Sequence, residues 1–209
     1  MIHYIFKFSP FFLKTILFTQ ILLSPPVLAD AKTDGDKGIE EYRQGNIVEG
    51  LMLMESSAKQ GYAPAQVTLA FILDHAENDK DAFHWYQQAA EQDSPAGLFG
   101  LGNMYGKGEG TEKDPVKAGE LIKKSADMQH SPAMRALAYA LENGSLGFKK
   151  NESDALQWYL KAAEAGDDFS MLRLKKAYST GELGLAADAD QAAEWERKLQ
   201  IKQEKRNGD

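Results

Sequence analysis

The sequence predicts an all-α fold, a solenoid of stacked αα-hairpins, and two observations carry that reading. The first is a near copy: Asp81-Ala82-Phe83-His84-Trp85-Tyr86-Gln87-Gln88-Ala89-Ala90-Glu91 returns as Asp154-Ala155-Leu156-Gln157-Trp158-Tyr159-Leu160-Lys161-Ala162-Ala163-Glu164. The second is spacing. Align the chain on Ala58, Ala90, Ala126 and Ala163, which close one helix of each copy. A small residue then precedes each of them (Gly50, Ala82, Ala118, Ala155), and before it stands a helix-capping type (Asn46, Asn78, Asp114, Asn151). A leucine follows (Leu69, Leu101, Leu137, Leu174), and beyond it a large residue (Leu73, Tyr105, Leu141, Tyr178). From 58 to 90 to 126 to 163 the copies stand 32, 36 and 37 residues apart. Self-similarity at such a period is the signature of a repeat architecture.

Each copy is read as two helices. Asn or Asp at the cap accepts from the free amides of the first turn, and Pro115 after Asp114 sits where a missing amide costs nothing. Ala118, Leu121, Ile122, Ser125 and Ala126 recur at helical spacing, as do Ala155, Trp158, Tyr159, Ala162 and Ala163. The alanines admit a second helix at close range while the larger pair fills the space above it. Trp158 is expected to be buried among these alanines. One hairpin cannot bury such a stripe alone, and stacking buries it continuously.

These residues resemble the Sel-one-like repeat family, relatives of the tetratricopeptide repeats, whose unit reads roughly A-x-x-W-Y-x-K-A-A-x-x-G followed by A-x-x-x-L-G-x-x-Y-x-x-G. Ala155, Trp158, Tyr159, Lys161, Ala162, Ala163, Gly166, Leu174, Tyr178 and Gly181 match it. So do Ala82, Trp85, Tyr86, Ala89, Ala90, Leu101, Gly102, Tyr105 and Gly108. The copy from Ala118 is degenerate, with Leu121-Ile122 in place of Trp-Tyr, and the earliest is weaker still. The resemblance covers about residues 46–199 and implies a right-handed superhelix whose concave groove holds a protein or peptide.

Taken in order, residues 1–29 read as a secretory signal peptide. Lys7 and Lys14 precede the apolar run Ile16 to Leu23, Pro25-Pro26 break it, and Val27-Leu28-Ala29 offers a cleavage site after Ala29. An uncleaved anchor is the competing reading, but Ser9-Pro10, Lys14 and Gln20 interrupt a stretch that would need about 20 apolar residues to span a bilayer. The expected location is therefore periplasmic or secreted, without stable membrane insertion after cleavage. Loss of the two lysines takes the net charge from −7 to −9, and an acidic chain without a basic face argues against nucleic acid. With no cysteine, stability has to come from packing.

Residues 30–45 are expected to form a disordered start and an N-terminal cap helix carrying Ile39 and Tyr42. The solenoid follows over residues 46–199. Gly61, Asp93, Gln129 and Gly166 mark the turns, with Pro64, Pro95 and Pro132 opening the next helices. The run Gly106 to Gly110 lacks the Gly-Lys-Ser/Thr ending of a phosphate loop and no strand precedes it, so it reads as an inter-helix loop. A partial copy from Asp188 carries Ala192, Trp195 and Leu199 inward, and residues 200–209 form its charged tail. Lys198, Lys202, Lys205 and Arg206 there suit the negative pole of the helix dipole.

No catalytic, cofactor-binding or metal site is assigned. His75, His84 and His130 fall in different elements without ligand spacing, and no serine stands in a G-x-S-x-G turn. What remains is a surface. Phe71, Phe99, Asn103, Arg135, Tyr139 and Lys176 lie opposite the buried stripe of each leucine-bearing helix. They are the candidate partner-binding groove, with packing between adjacent units as the alternative. The resemblance implies a non-enzymatic adaptor in an envelope assembly as the expected function. An envelope hydrolase or a glycan- or antibiotic-binding protein on the same repeats is the alternative.

Overall fold

The computed structural model describes residues 30–207, so the expected signal peptide lies outside the described residues. Within them the chain forms ten helices and no strand: α1 (Ala31–Arg43), α2 (Ile47–Lys59), α3 (Ala63–His75), α4 (Asp79–Glu91), α5 (Pro95–Lys107), α6 (Pro115–Asp127), α7 (Ser131–Asn143), α8 (Glu152–Glu164), α9 (Asp168–Thr180) and α10 (Ala189–Asn207). Each packs on its sequence neighbours, and α1 also touches α3, as α3 touches α5. The odd-numbered helices therefore crowd together on one side of an α-solenoid.

Two local devices repeat. The first is the turn after each even helix. Gly61, Asp93, Gln129 and Gly166 all take positive φ (91°, 56°, 63° and 87°). Their amides donate to the carbonyls of Ala58, Ala90, Ala126 and Ala163, and the next amides donate to those of Ser57, Ala89, Ser125 and Ala162. This pairing satisfies the last carbonyls of the helix. The second device closes the longer loops. The amides of Asp114, Asn151 and Asp188 donate to the carbonyls of Tyr105, Leu141 and Tyr178 at 2.7–2.8 Å, and Asn78 does the same to Leu73 at 2.9 Å. Loops of different length thus return to one fixed point, which is why the period varies while the stacking does not.

Side-chain caps follow the sequence reading only in part. Asp114 accepts from the Lys117 amide at 3.0 Å, Asn151 from the Asp154 amide at 3.1 Å, and Asp188 from the amides of Asp190 and Gln191 at 3.0 Å. Asn46 and Asn78 make no such cap. Their side-chain amides donate instead to Glu41 and Asp81.

The core is built by the aligned positions. Leu69, Leu101, Leu137 and Leu174 are buried, as are Ala58, Ala90, Ala126 and Ala163. So are the small residues Gly50, Ala82, Ala118 and Ala155. One expectation is corrected here. Trp158 is only half-buried, and Tyr159, 3% exposed, fills the core position. Tyr159 continues the stripe Ala155–Tyr159–Ala162–Ala163, whereas Trp158 is turned about 100° from it. Lys161 covers the indole 4.2 Å from its ring centre. The same choice recurs at Tyr86 over Trp85 and at Ile122 over Leu121, where the second residue of each pair is buried.

The start of the chain is a second correction: α1 is already helical at Ala31, so residues 30–45 have no disordered start before the cap helix. Its polar sequence hides two contacts at a distance. Gly35 lies so close to Tyr62 that a Cβ would come within 2.4 Å of the ring, and the Tyr62 hydroxyl donates to Asp36 at 2.6 Å. Ser57 also donates to the Ala31 carbonyl. At the other end Trp195 and Leu199 are buried. Lys202 bonds the Gly166 carbonyl and Asp168, and Arg206 stands 3.5 Å from Asp168, so the charged tail is tied to the last turn.

Candidate functional site

On the side where the odd helices crowd, three depressions adjoin. The first, about 400 Å³, is lined by Ile39, Tyr42, Thr68, Phe71 and His75 among others. The second, about 450 Å³, shares Thr68, Phe71 and His75 and adds Phe99, Asn103 and His130. The third, about 380 Å³, shares Asn103 with the second and adds Arg135, Tyr139, Phe169 and Arg173. Shared walls make the three a single row running from α1 to α9.

Five of the six residues singled out from sequence line this row: Phe71, Phe99, Asn103, Arg135 and Tyr139. Phe71 and Tyr139 are 54% and 61% exposed, so neither ring is consumed by the core. Phe99 is half-buried against the cluster around Ile122, Met134 and Leu137, with the His130 ring 5.5 Å away. It therefore packs between units and borders the groove at once. Lys176 lines none of the depressions. It is exposed and pairs with Glu182 at 3.2 Å.

The structure adds positions that the sequence reading passed over. Counted from the aligned leucine of α3, α5, α7 and α9, the residue five earlier lines the row at Ala96, Pro132 and Phe169, and the residue one earlier at Thr68, Gly100, Ala136 and Arg173. With the positions two before and two after the leucine, these form one helical face. Their fixed offset from the leucine is a signal already present in the sequence. The position before the leucine is small or short in three units and becomes arginine only in the last. Gly100 shows why size matters there: a Cβ would come within 2.2 Å of the Tyr86 ring that floors the second depression.

The polar chemistry gathers at the third depression. Arg173 Nη2 donates to Glu142 at 2.5 Å and reaches Glu182 at 2.9 Å, while its Nε donates to Glu142 at 3.2 Å. Tyr159 donates to the other Glu142 oxygen at 2.8 Å. Burial pushes Glu142 up, but the Arg173 guanidinium and the Tyr159 hydroxyl override it and hold the carboxyl below the ordinary glutamate range. Burial, then the bond to Glu142, pushes the Tyr159 hydroxyl far above the usual tyrosine range. Tyr86 is pushed up to about 12 by burial and the Asp74 charge. Arg173 Nη1 is closed to solvent and has no hydrogen-bond partner among the described residues. Arg135 lies 4.7 Å over the Phe169 ring, its Nε 3.8 Å from Asp167. At the second depression, burial lowers the pKa of His130. Among the described residues no group of His, Asp and Glu is arranged to hold a metal ion.

A sequence model of the Sel1 repeat matches residues 28–62, 74–94, 95–130, 131–167 and 171–198. The chain belongs to the Sel1 repeat family. The matched segments 95–130 and 131–167 start at the leucine-bearing helix, so a Sel1 unit pairs α5 with α6 and α7 with α8. The hairpin frame read from the sequence is therefore shifted by one helix. Among solved structures, a Sel1 repeat protein from Oxalobacter formigenes superposes with a TM-score of 0.76 at 26% identity, covering 81% of this chain and 70% of that one. Among curated relatives, an uncharacterized protein of Neisseria meningitidis is 32% identical over 113 residues, 54% of this chain and 24% of that protein. Chitin synthase regulatory factor 3 of Schizosaccharomyces pombe is 33% identical over 132 residues, 59% of this chain and 14% of the relative. The chain thus spans less than a quarter of these curated relatives. No helix of the described residues is long and apolar enough to cross a membrane.

Proposed function

We propose that this Sel1-repeat chain is a non-enzymatic scaffold that holds an extended segment of a partner protein along the row of depressions on α1, α3, α5, α7 and α9. The observation that carries the reading is the placement of Phe71 and Tyr139. Both are large rings left exposed, each at the wall of an apolar depression, with the Asn103 amide lining both depressions between them. Rigid aromatic anchors beside polar groups are what a peptide-binding surface needs. A relative whose name describes a regulatory factor of chitin synthase supports a role exercised through another protein. The leader-like residues 1–29 support an envelope or extracellular setting, where the scaffold would serve as an adaptor in an assembly.

The test is a pull-down from envelope extract with the full chain, repeated with Phe71→Ala and Tyr139→Ala. Each variant is expected to weaken capture by ~2 kcal/mol if its ring is an anchor, with the melting temperature nearly unchanged. Phe99→Ala is a poorer probe, because its half-buried ring also supports the fold. Capture at full strength by the folded double variant would eliminate the groove. For the setting, N-terminal sequencing of the recovered protein should find Asp30 first; an intact Met1 in a membrane pellet would reject it.

A further inference from the structure

We propose that the third depression captures the C-terminal carboxylate of the bound segment, so that the row reads a partner's chain end rather than an internal stretch. The inference rests on the groove reading above and deepens it.

Three observations carry it. First, the depression is lined by two guanidiniums, Arg135 and Arg173, and by no carboxylate, within a chain whose net charge is −7. The nearby acids are turned to other work. Both Glu142 oxygens are taken by Arg173 and Tyr159, Glu182 holds Arg173 and Lys176, and Asp167 caps the Ser170 amide. Second, donors remain unused. Arg173 Nη1 is buried without a partner among the described residues, a condition that costs free energy until an acceptor arrives. Arg135 makes no hydrogen bond among the described residues, stacks on Phe169 and has Asp167 only at 3.8 Å. A carboxylate, charged and with acceptor sites on two oxygens, accepts from both guanidiniums more strongly than a neutral carbonyl does. Third, the row ends here. Phe169 and Arg173 belong to α9, the last odd helix, and beyond it among the described residues stands only α10, which covers the core with Trp195 and Leu199. A segment lying along the row from α1 reaches its last depression at Arg135 and Arg173, and of the two chain ends only the carboxylate suits them.

The apolar remainder of the depression, Ile122, Tyr139, Leu146 and Phe169, then receives an apolar terminal side chain. A small side-chain adjustment at the rim is part of the proposal, since Nη1 is closed to water as the groove stands. The arginine at the position before the leucine, where the other units carry Thr68, Gly100 and Ala136, confines this capture to the last unit.

The experiment uses the full chain and an immobilised array of random decapeptides, synthesised with a free C-terminus, as the C-terminal amide, and as amides carrying an internal glutamate. Free-acid peptides ending in an apolar residue are expected to bind. Amidation should weaken them about tenfold or more, and Arg135→Gln should erase the difference between acid and amide while the melting temperature holds. Arg173 is left intact because it braces Glu142. Equal binding of acid and amide forms, lost in Phe71→Ala and Tyr139→Ala, overturns the inference and leaves the groove standing. Amides with an internal glutamate binding as well as free acids also overturn it. Binding that survives Phe71→Ala and Tyr139→Ala removes the groove reading and this inference together, and an array with no bound peptide overturns the inference as well.

Discussion

At position 129 a glutamine occupies a backbone conformation that Gly61 and Gly166 fill at the equivalent turns. Its φ of 63° crowds the Cβ against the following carbonyl, at about 1–2 kcal/mol for a residue with a side chain. Asp93 shares the conformation (φ 56°) but holds Lys124 at 2.5 Å, so its side chain has a local partner. Among the described residues no hydrogen bond of the Gln129 side chain offsets the strain. Gln129→Gly is therefore expected to stabilise by ~1 kcal/mol after the added chain entropy is counted, visible as a melting temperature ~2–4 °C higher. A fall would show that the side chain contributes something other than strain. The Trp-Tyr pair gives a second residue-scale test. Tyr159→Ala should cost ~3–5 kcal/mol as a fully buried ring, and Trp158→Ala about half of that, because its half-buried face is shared with solvent and Lys161. Urea denaturation of the two variants decides it, and the reverse order would reject the assignment of the core position.

Among the elements, α7, α8 and α9 are joined by the Glu142–Arg173–Tyr159 network as well as by the apolar cluster around Tyr159 and Leu174. The sign of its pH dependence follows from Glu142, whose folded pKa lies below the ordinary glutamate range. Its contribution is complete above that range and is lost as pH falls through the folded value, since the unfolded chain takes up the proton first. Urea midpoints measured from pH 7 down to pH 3 should fall on this acid limb, and Glu142→Gln should lower the pH 7 midpoint while flattening the limb. A variant with an unchanged slope would place the acid sensitivity elsewhere. The same network shows where sequence reading stops. Leucines, alanines and turn glycines act through size and backbone conformation, which repeat with the period and could be aligned directly. Arg173, Glu142 and Tyr159 act through partners on other helices, 31 residues apart for Arg173 and Glu142, and nothing local announces such a pairing. Phe169 was legible in principle, since it shares an offset with Ala96 and Pro132. The helicity of α1 before Gly35 was not, because its contacts are with Ser57 of α2 and with Tyr62 in the turn before α3.

For the whole molecule, the clusters of buried side chains overlap rather than close on themselves. Leu141 and Trp158 border both the cluster around Leu174 and the one around Leu137, and Leu73 and Trp85 border both the Leu69 and the Leu101 clusters. Each unit is thus stabilised by its neighbours, and the array is coupled from one unit to the next rather than through a common centre. A defect should accordingly spread along the stack and fade with distance. Tyr159→Ala, placed in α8, is expected to lower amide protection in α7, α9 and α10 nearly as much as in α8 itself. Protection in α1 and α2 should stay within error of the parent, because α2 and α3 keep their own cluster with Ala58, Ala65 and Leu69. Native-state hydrogen exchange resolved by helix measures this directly, since local and global openings report different free energies. Loss confined to α8 would mean that the units are independent. An equal loss in all ten helices would mean a single globular core, and either result would be incompatible with coupling between nearest neighbours.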